Sequence, residues 1–142
     1  MGEQTPGRAA ASGVERGGGD GCPCSGLRDP VELALCLAPP PGEYEVSLPA
    51  GPGTELVLDR ERGLVLRASA RDEFLPFLGT VERPASRVSL EAALKRAGMS
   101  VEELPRLSAR RLLEAAAGGS RAAARLAERC RELVEALAGA EG

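Results

Sequence analysis

The spacing of apolar residues changes twice along this chain, and the two changes fix the order in which helices and strands must follow one another. Between Asp29 and Pro39 the apolar residues run almost without a break. From Tyr44 to Ala68 they alternate with polar ones, and from Ser89 onward they recur every three or four positions. A period of two belongs to a half-buried strand, and a period near 3.6 to an amphipathic helix. Helix, then strands, then helices is the signature of an α+β fold with segregated layers.

Each stretch carries its own boundary signals. Asp29 offers an N-cap oxygen, Pro30 is pre-set for the first helical position, and Glu32 completes a capping box. Leu33, Leu35, Cys36 and Leu37 make the following helix apolar nearly all round, so it is expected to be buried, and Pro39-Pro40-Pro41 stops it. In the alternating stretch, Tyr44, Val46 and Leu48, then Leu56 and Leu58, then Leu64 and Leu66 mark three strands. The turn-rich loop 49–53 and the turn Glu61-Arg62-Gly63 separate them. Short connections of this kind predict an antiparallel meander with one wet face. Residues 72–78 hold both phenylalanines and are expected as a short helix broken at Pro76 that plugs an edge of the core. Residues 80–88 read as a loop around Pro84.

The C-terminal half reads as helical. Ser89 is expected to cap a helix ending before Gly98, which sits in the C′ position. Ser100 opens a helix that Pro105 limits to a turn or two, Ser108 opens a third that ends at Gly118-Gly119, and Ser120 opens a last one to about Ala138. The predicted organisation is one α+β domain over 27–138: a short buried helix and three-stranded meander (27–88), then a helical part (89–138). A Gly-rich tail over 1–26 precedes it, too poor in apolar residues to offset the entropy of ordering it.

Composition narrows the chemistry. There is no Trp, one Tyr and two Phe, so the core must be aliphatic and thin, giving modest stability or a core completed by a partner. There is no histidine, which removes Ser-His-Asp triads, Cys-His pairs, His-ligated zinc and the usual proton shuttle at neutral pH. Ile and Asn are also absent, Lys95 is the only lysine, and Ala, Gly, Pro and Arg abound. That bias fits a GC-rich genome, so the wealth of arginine says little about phosphate binding. The formal net charge is −3, divided as −6 over residues 1–82 and +3 over 83–142. The halves can attract one another, or the basic half can face an acidic partner. No apolar run is long enough to span a membrane, and the N-terminus lacks the basic and apolar regions of a secretory signal. The expectation is a cytoplasmic protein with no membrane contact, whose four cysteines are reduced.

Three sets of residues are candidates for function. Ala123, Leu126, Cys130, Leu133 and Leu137 fall at heptad-like spacings on the last helix, either as the face packed on its own domain or as an interaction seam with a protein partner or second copy. Lys95, Arg96, Arg106, Arg110 and Arg111 lie around a stretch that resembles a helix-turn-helix, a possible nucleic-acid surface. Glu102 and Glu103 at the start of its second helix, and Pro105 within it, oppose that use. Cys22 and Cys24 are candidates for a soft metal or a redox pair, with Cys36 and Cys130 as further thiols. Their spacing does not match common zinc motifs, and a tail with two small core thiols elsewhere is the simpler reading.

One resemblance covers residues 25–68. Gly26-Leu27, Leu33 to Leu37, Gly42-Glu43-Tyr44-Glu45-Val46, Gly63-Leu64-Val65 and Ala68 follow an order that resembles the N-terminal domain of PatA-type response regulators. After Ala68 the chain departs from that pattern, which continues with a small-residue helix and a closing aromatic strand. The resemblance implies a non-catalytic signalling or scaffold module and carries over no functional residue. The expected function is a small cytoplasmic regulatory or protein-interaction module without enzymatic activity or cofactor. The alternatives are a nucleic-acid-binding protein and a cysteine-based metal or redox factor.

Overall fold

The structure, a computed structural model, describes residues 21–40, 42–69 and 79–139. Most of the expected tail and the Phe-containing segment 72–78 lie outside these. The fold is α+β, as the periodicity requires. The elements are α1 (Pro30–Leu37), β1 (Val46–Gly51), β2 (Thr54–Asp59), β3 (Gly63–Ser69), β4 (Thr80–Pro84), α2 (Arg87–Ala97), α3 (Leu104–Ala117), α4 (Arg121–Arg129) and α5 (Arg131–Ala138). The strands form one antiparallel sheet in chain order.

Two cores follow from two amphipathic patterns. Leu48 lies opposite Leu56, Leu56 opposite Leu66 and Leu58 opposite Leu64, so the inward positions of the meander form one apolar face. That face is buried against Val31 and Ala34 of α1 and Leu90, Ala93 and Leu94 of α2. The second core is helical: Leu37, Ala109, Leu112, Ala115, Ala123, Leu126 and Val134 pack around Cys24 and Cys130. The short α1 serves both cores, and Ser108, fully buried in α3, donates from its Oγ to the Ala34 carbonyl at 2.8 Å to join α3 to it.

Several boundaries differ from the expected ones, each for a physical reason. Residues 80–84 are a strand, not a loop. All five are exposed, so no hydrophobic alternation marks them, and pairing with β3 alone makes the strand. Helix α2 starts three residues earlier than expected because Ser86, not Ser89, is the N-cap: its side chain accepts from the Ser89 amide. Gly98 closes α2 in the left-handed conformation at φ 70°, as expected. Pro105 does not break a helix but lies in the first turn of α3, where its missing N–H removes no bond. Ser108 therefore sits inside one continuous helix. The last helix is instead two, α4 and α5, meeting at Cys130.

The second face of the sheet is not wet throughout. Val57 and Val65, a cross-strand pair, are buried there at 0% and 3% exposure. Beside them runs an ion ladder. Arg67 on β3 binds Glu45, reaches Glu55 at 3.4 Å and Glu82 of β4 at 3.2 Å, and Arg62 joins Glu82 to Asp59 at 2.8 and 2.7 Å. Hydrogen bonds from Arg67 hold the Glu45 carboxyl below its usual range, and those from Arg62 and Arg67 do the same for Glu82. Burial pushes Asp59 up, but the Arg62 side chain and the amides of Glu61 and Arg62 outweigh it and leave it lowered. Depressed folded pKa values stabilise the fold above the unfolded values, here 4.5 for Glu and 3.8 for Asp, and that stabilisation is lost as pH falls through the folded values. Stability from these groups is thus expected to be flat from pH 7 to about 5 and to decline below it. In Arg67→Met the decline is shallower. Urea midpoints at stepped pH check this, and equal slopes in both proteins would refute it.

Tyr44, just before β1, reaches across to the helical core and lies over Gly118 at the end of α3. A Cβ on Gly118 would stand 2.5 Å from the Tyr44 hydroxyl oxygen and 2.9 Å from two ring carbons. Gly118 has φ −83°, so its backbone accepts any residue and the constraint is purely steric. Gly118→Ala is expected to cost roughly 1–3 kcal/mol. In a Tyr44→Ala background the same change costs about 0.5 kcal/mol or less, and a denaturant double-mutant cycle reads the coupling.

Candidate functional site

The segment 21–27, of which 21–26 was expected as the end of a tail, is a pair of tight turns pinned into the helical core. The amides of Ser25 and Leu27 donate to the carbonyls of Cys22 and Cys24, both at 3.3 Å, and Gly26 supplies the positive φ (92°) that the second turn needs. The Cys24 amide points at the Cys22 sulfur, 3.4 Å away. Cys24 is fully buried.

All four cysteines meet here. Cys22 is bonded to Cys130 at the α4–α5 junction, closing 108 residues, and Cys24 to Cys36 on α1, closing 12. This corrects the expectation of reduced thiols, of Cys36 and Cys130 as plain core residues, and of a Cys-Pro-Cys lying in a tail. The Sγ atoms of Cys22, Cys24 and Cys130 all lie within 4.8 Å of one another, so the two bonds are in effect one sulfur cluster. Sulfur is packed into the middle of this core, against which Tyr44 is the only aromatic residue among the described ones. On the outer side, Cys22 and Cys130 form part of the wall of an open cleft of about 490 Å³ with Ser25, Glu128, Arg129 and Arg131. Arg129 donates to the Gly21 carbonyl at 3.1 Å, which sets a cation beside the loop.

The other predicted sets are placed differently. Ala123, Leu126 and Cys130 are buried in the chain's own helical core, and Leu133 and Leu137 are partly buried and packed against it. The seam is thus the inward face of α4 and α5. Lys95 and Arg96 are exposed at the end of α2, and Arg106, Arg110 and Arg111 lie along α3, with Arg111 bound to Glu114 at 2.9 Å. The stretch that resembles a helix-turn-helix does not pack chiefly on itself: α2 lies mainly on β1, whereas α3 lies mainly on α1, α4 and α5 and touches β1 less.

A second candidate surface had no signal in the hydrophobic pattern. Helices α1 and α2 cover the inner face of the sheet over β1 and β2. Towards β4 a shallow apolar groove of about 210 Å³ remains, lined by Thr54, Leu66, Ala68, Val81 and Arg83, with Val81 52% exposed. Ala85 donates to the Leu64 carbonyl, and antiparallel alternation then turns the amides of Val81 and Arg83 to β3 and those of Thr80 and Glu82 outward. Among the described residues, no helix is long and apolar enough to cross a membrane. No family model matches the chain, and neither a curated protein nor a solved structure shows significant similarity to it.

Proposed function

We propose that the chain is a small non-catalytic interaction module whose contact surface is β4 and the groove beside it, and whose occupant is a second copy of the same chain. The observation that supports this most is the juxtaposition of an exposed edge strand with an apolar groove on the helix-covered face of the sheet. Two β4 strands paired antiparallel about a two-fold axis would join the sheets, satisfy the outward amides of Thr80 and Glu82 and the carbonyl of Glu82, and bring each Val81 against the partner's Arg83 stem. Glu82 would face Glu82 across the axis. Arg62 and Arg67 already neutralise each one. The resemblance of residues 25–68 to the PatA-type N-terminal domain points to the same class, a signalling or scaffold module.

Sedimentation over a range of concentrations tests the reading. A dimer is expected by about 100 μM, corresponding to roughly 5–6 kcal/mol of association. Val81→Glu, or Glu82→Pro, which removes an outward amide, should leave a folded monomer. A wild type that stays monomeric to that concentration refutes self-association through β4.

Two disulfides also favour an oxidising compartment over a cytoplasm, where glutathione and thioredoxin keep thiols reduced. In the proposed reading this replaces the cytoplasmic expectation.

A further inference from the structure

The geometry points to a second state of the sulfur cluster: we propose that in the reduced chain Cys22, Cys24, Cys36 and Cys130 bind one zinc ion as a tetrathiolate. This stands apart from the β4 reading, which uses a different face. Three sulfurs already lie within 4.8 Å of one another, and the fourth, on Cys36, is bonded to Cys24. A tetrahedral zinc–thiolate centre has Zn–S near 2.3 Å, which sets its sulfurs about 3.8 Å apart. Once the bonds are cut, each bonded pair needs to separate by less than about 2 Å, the unbonded sulfurs among Cys22, Cys24 and Cys130 to close by at most about 1 Å, and the Cys36 sulfur, outside that group, to swing further inward.

The surroundings suit thiolates. The Cys24 amide is aimed at the Cys22 sulfur, a bond that favours the ionised form once the disulfide is gone. Turns at Cys22 and Cys24 fix the local shape of the loop that carries two of the ligands. Arg129, anchored on Gly21, supplies positive charge near a centre that would carry two net negative charges. The Cys22–Cys130 bond borders the cleft, so a reductant and then an ion have a way in.

The chemistry balances in two steps. Each S–S bond takes two electrons and two protons from a two-electron reductant, a dithiol or a phosphine with water, and yields two thiols. The ion then displaces four protons and forms four Zn–S bonds. Zinc would thus hold the loop, α1 and the α4–α5 junction together before the disulfides form or after they are reduced.

The full chain, reduced with a phosphine, freed of it without oxygen and titrated with zinc, should bind one equivalent with loss of four protons in native mass spectrometry. Cobalt in place of zinc should give thiolate-to-metal charge-transfer bands and tetrahedral ligand-field bands. The oxidised chain should bind neither. Cys36→Ser and Cys130→Ser should each weaken binding by about 100-fold or more, beyond what loss of an outer-shell partner causes. If these variants do not fold, the wild-type cobalt spectrum decides alone. A reduced wild type that gives no thiolate spectrum, or whose metal is held equally well by the oxidised chain, overturns the proposal.

Discussion

Replacing Cys22 and Cys130 together by alanine is expected to lower the unfolding free energy by roughly 4–5 kcal/mol. The bond closes 108 residues, nearly the whole described fold, so its removal frees the unfolded chain far more than it disturbs the native one. The Cys24–Cys36 pair closes only 12 residues, and its removal should cost less, about 3 kcal/mol on the same chain-entropy reasoning. The order of the two effects is the sharper test, because both pairs remove the same atoms from the same core. Urea unfolding of the two double-alanine variants, followed by far-ultraviolet circular dichroism, gives both numbers. A long-loop loss below about 1 kcal/mol, or one smaller than the short-loop loss, would contradict the stapling role. The effect is large against the 5–15 kcal/mol typical of a small domain, and the aromatic-poor core here leaves little in reserve.

The second large effect comes from two neighbours on α3. Leu112 is fully buried among the helical core, and Leu113, one residue on, is 39% exposed. Leu112→Ala is expected to cost about 3–5 kcal/mol, the sum of lost transfer energy and an unfilled cavity. Alanine is the better helix former, so none of the loss comes from helix propensity. Leu113→Ala should stay within about 0.5 kcal/mol. Thermal and urea unfolding of the pair separates packing from composition. Equal losses at the two positions would mean that α3 is rotated from the placement described.

The parts of this fold that were legible are those in which neighbours along the chain decide the outcome. Asp29-Pro30 and the αL Gly98 are local cap chemistry, and both act as their residue types dictate. The first three strands alternate because one face of each contributes its leucines or valine to the core of the sheet. Strand β4 was not legible, since all of its residues are exposed and its conformation comes from pairing with β3 alone. The break at Cys130 was hidden as well: the spacing of Ala123, Leu126, Cys130, Leu133 and Leu137 runs straight through the junction, because α4 and α5 bury the same face on both sides of it.

The sulfur cluster was the hardest feature to foresee. Four cysteines allow three pairings, and nothing in Cys22-Pro23-Cys24 chooses among them. The glycine-rich stretch before it reads as tail, yet two turns and two bonds bring Cys24 to full burial. Only the folded helices place Cys36 and Cys130 beside the loop. The apolar groove near β4 is equally non-local, being defined by where the helices stop rather than by any residue pattern.

Mapping the cysteine pairing of the natively isolated protein reaches the centre of this description most directly. Tryptic peptides are insufficient, since Cys22 and Cys24 share one fragment. Stepwise reduction at acidic pH with differential alkylation, read by mass spectrometry, resolves them. The result expected is Cys22 with Cys130 and Cys24 with Cys36; a Cys22–Cys24 bond, or Cys22 joined to Cys36, would contradict it.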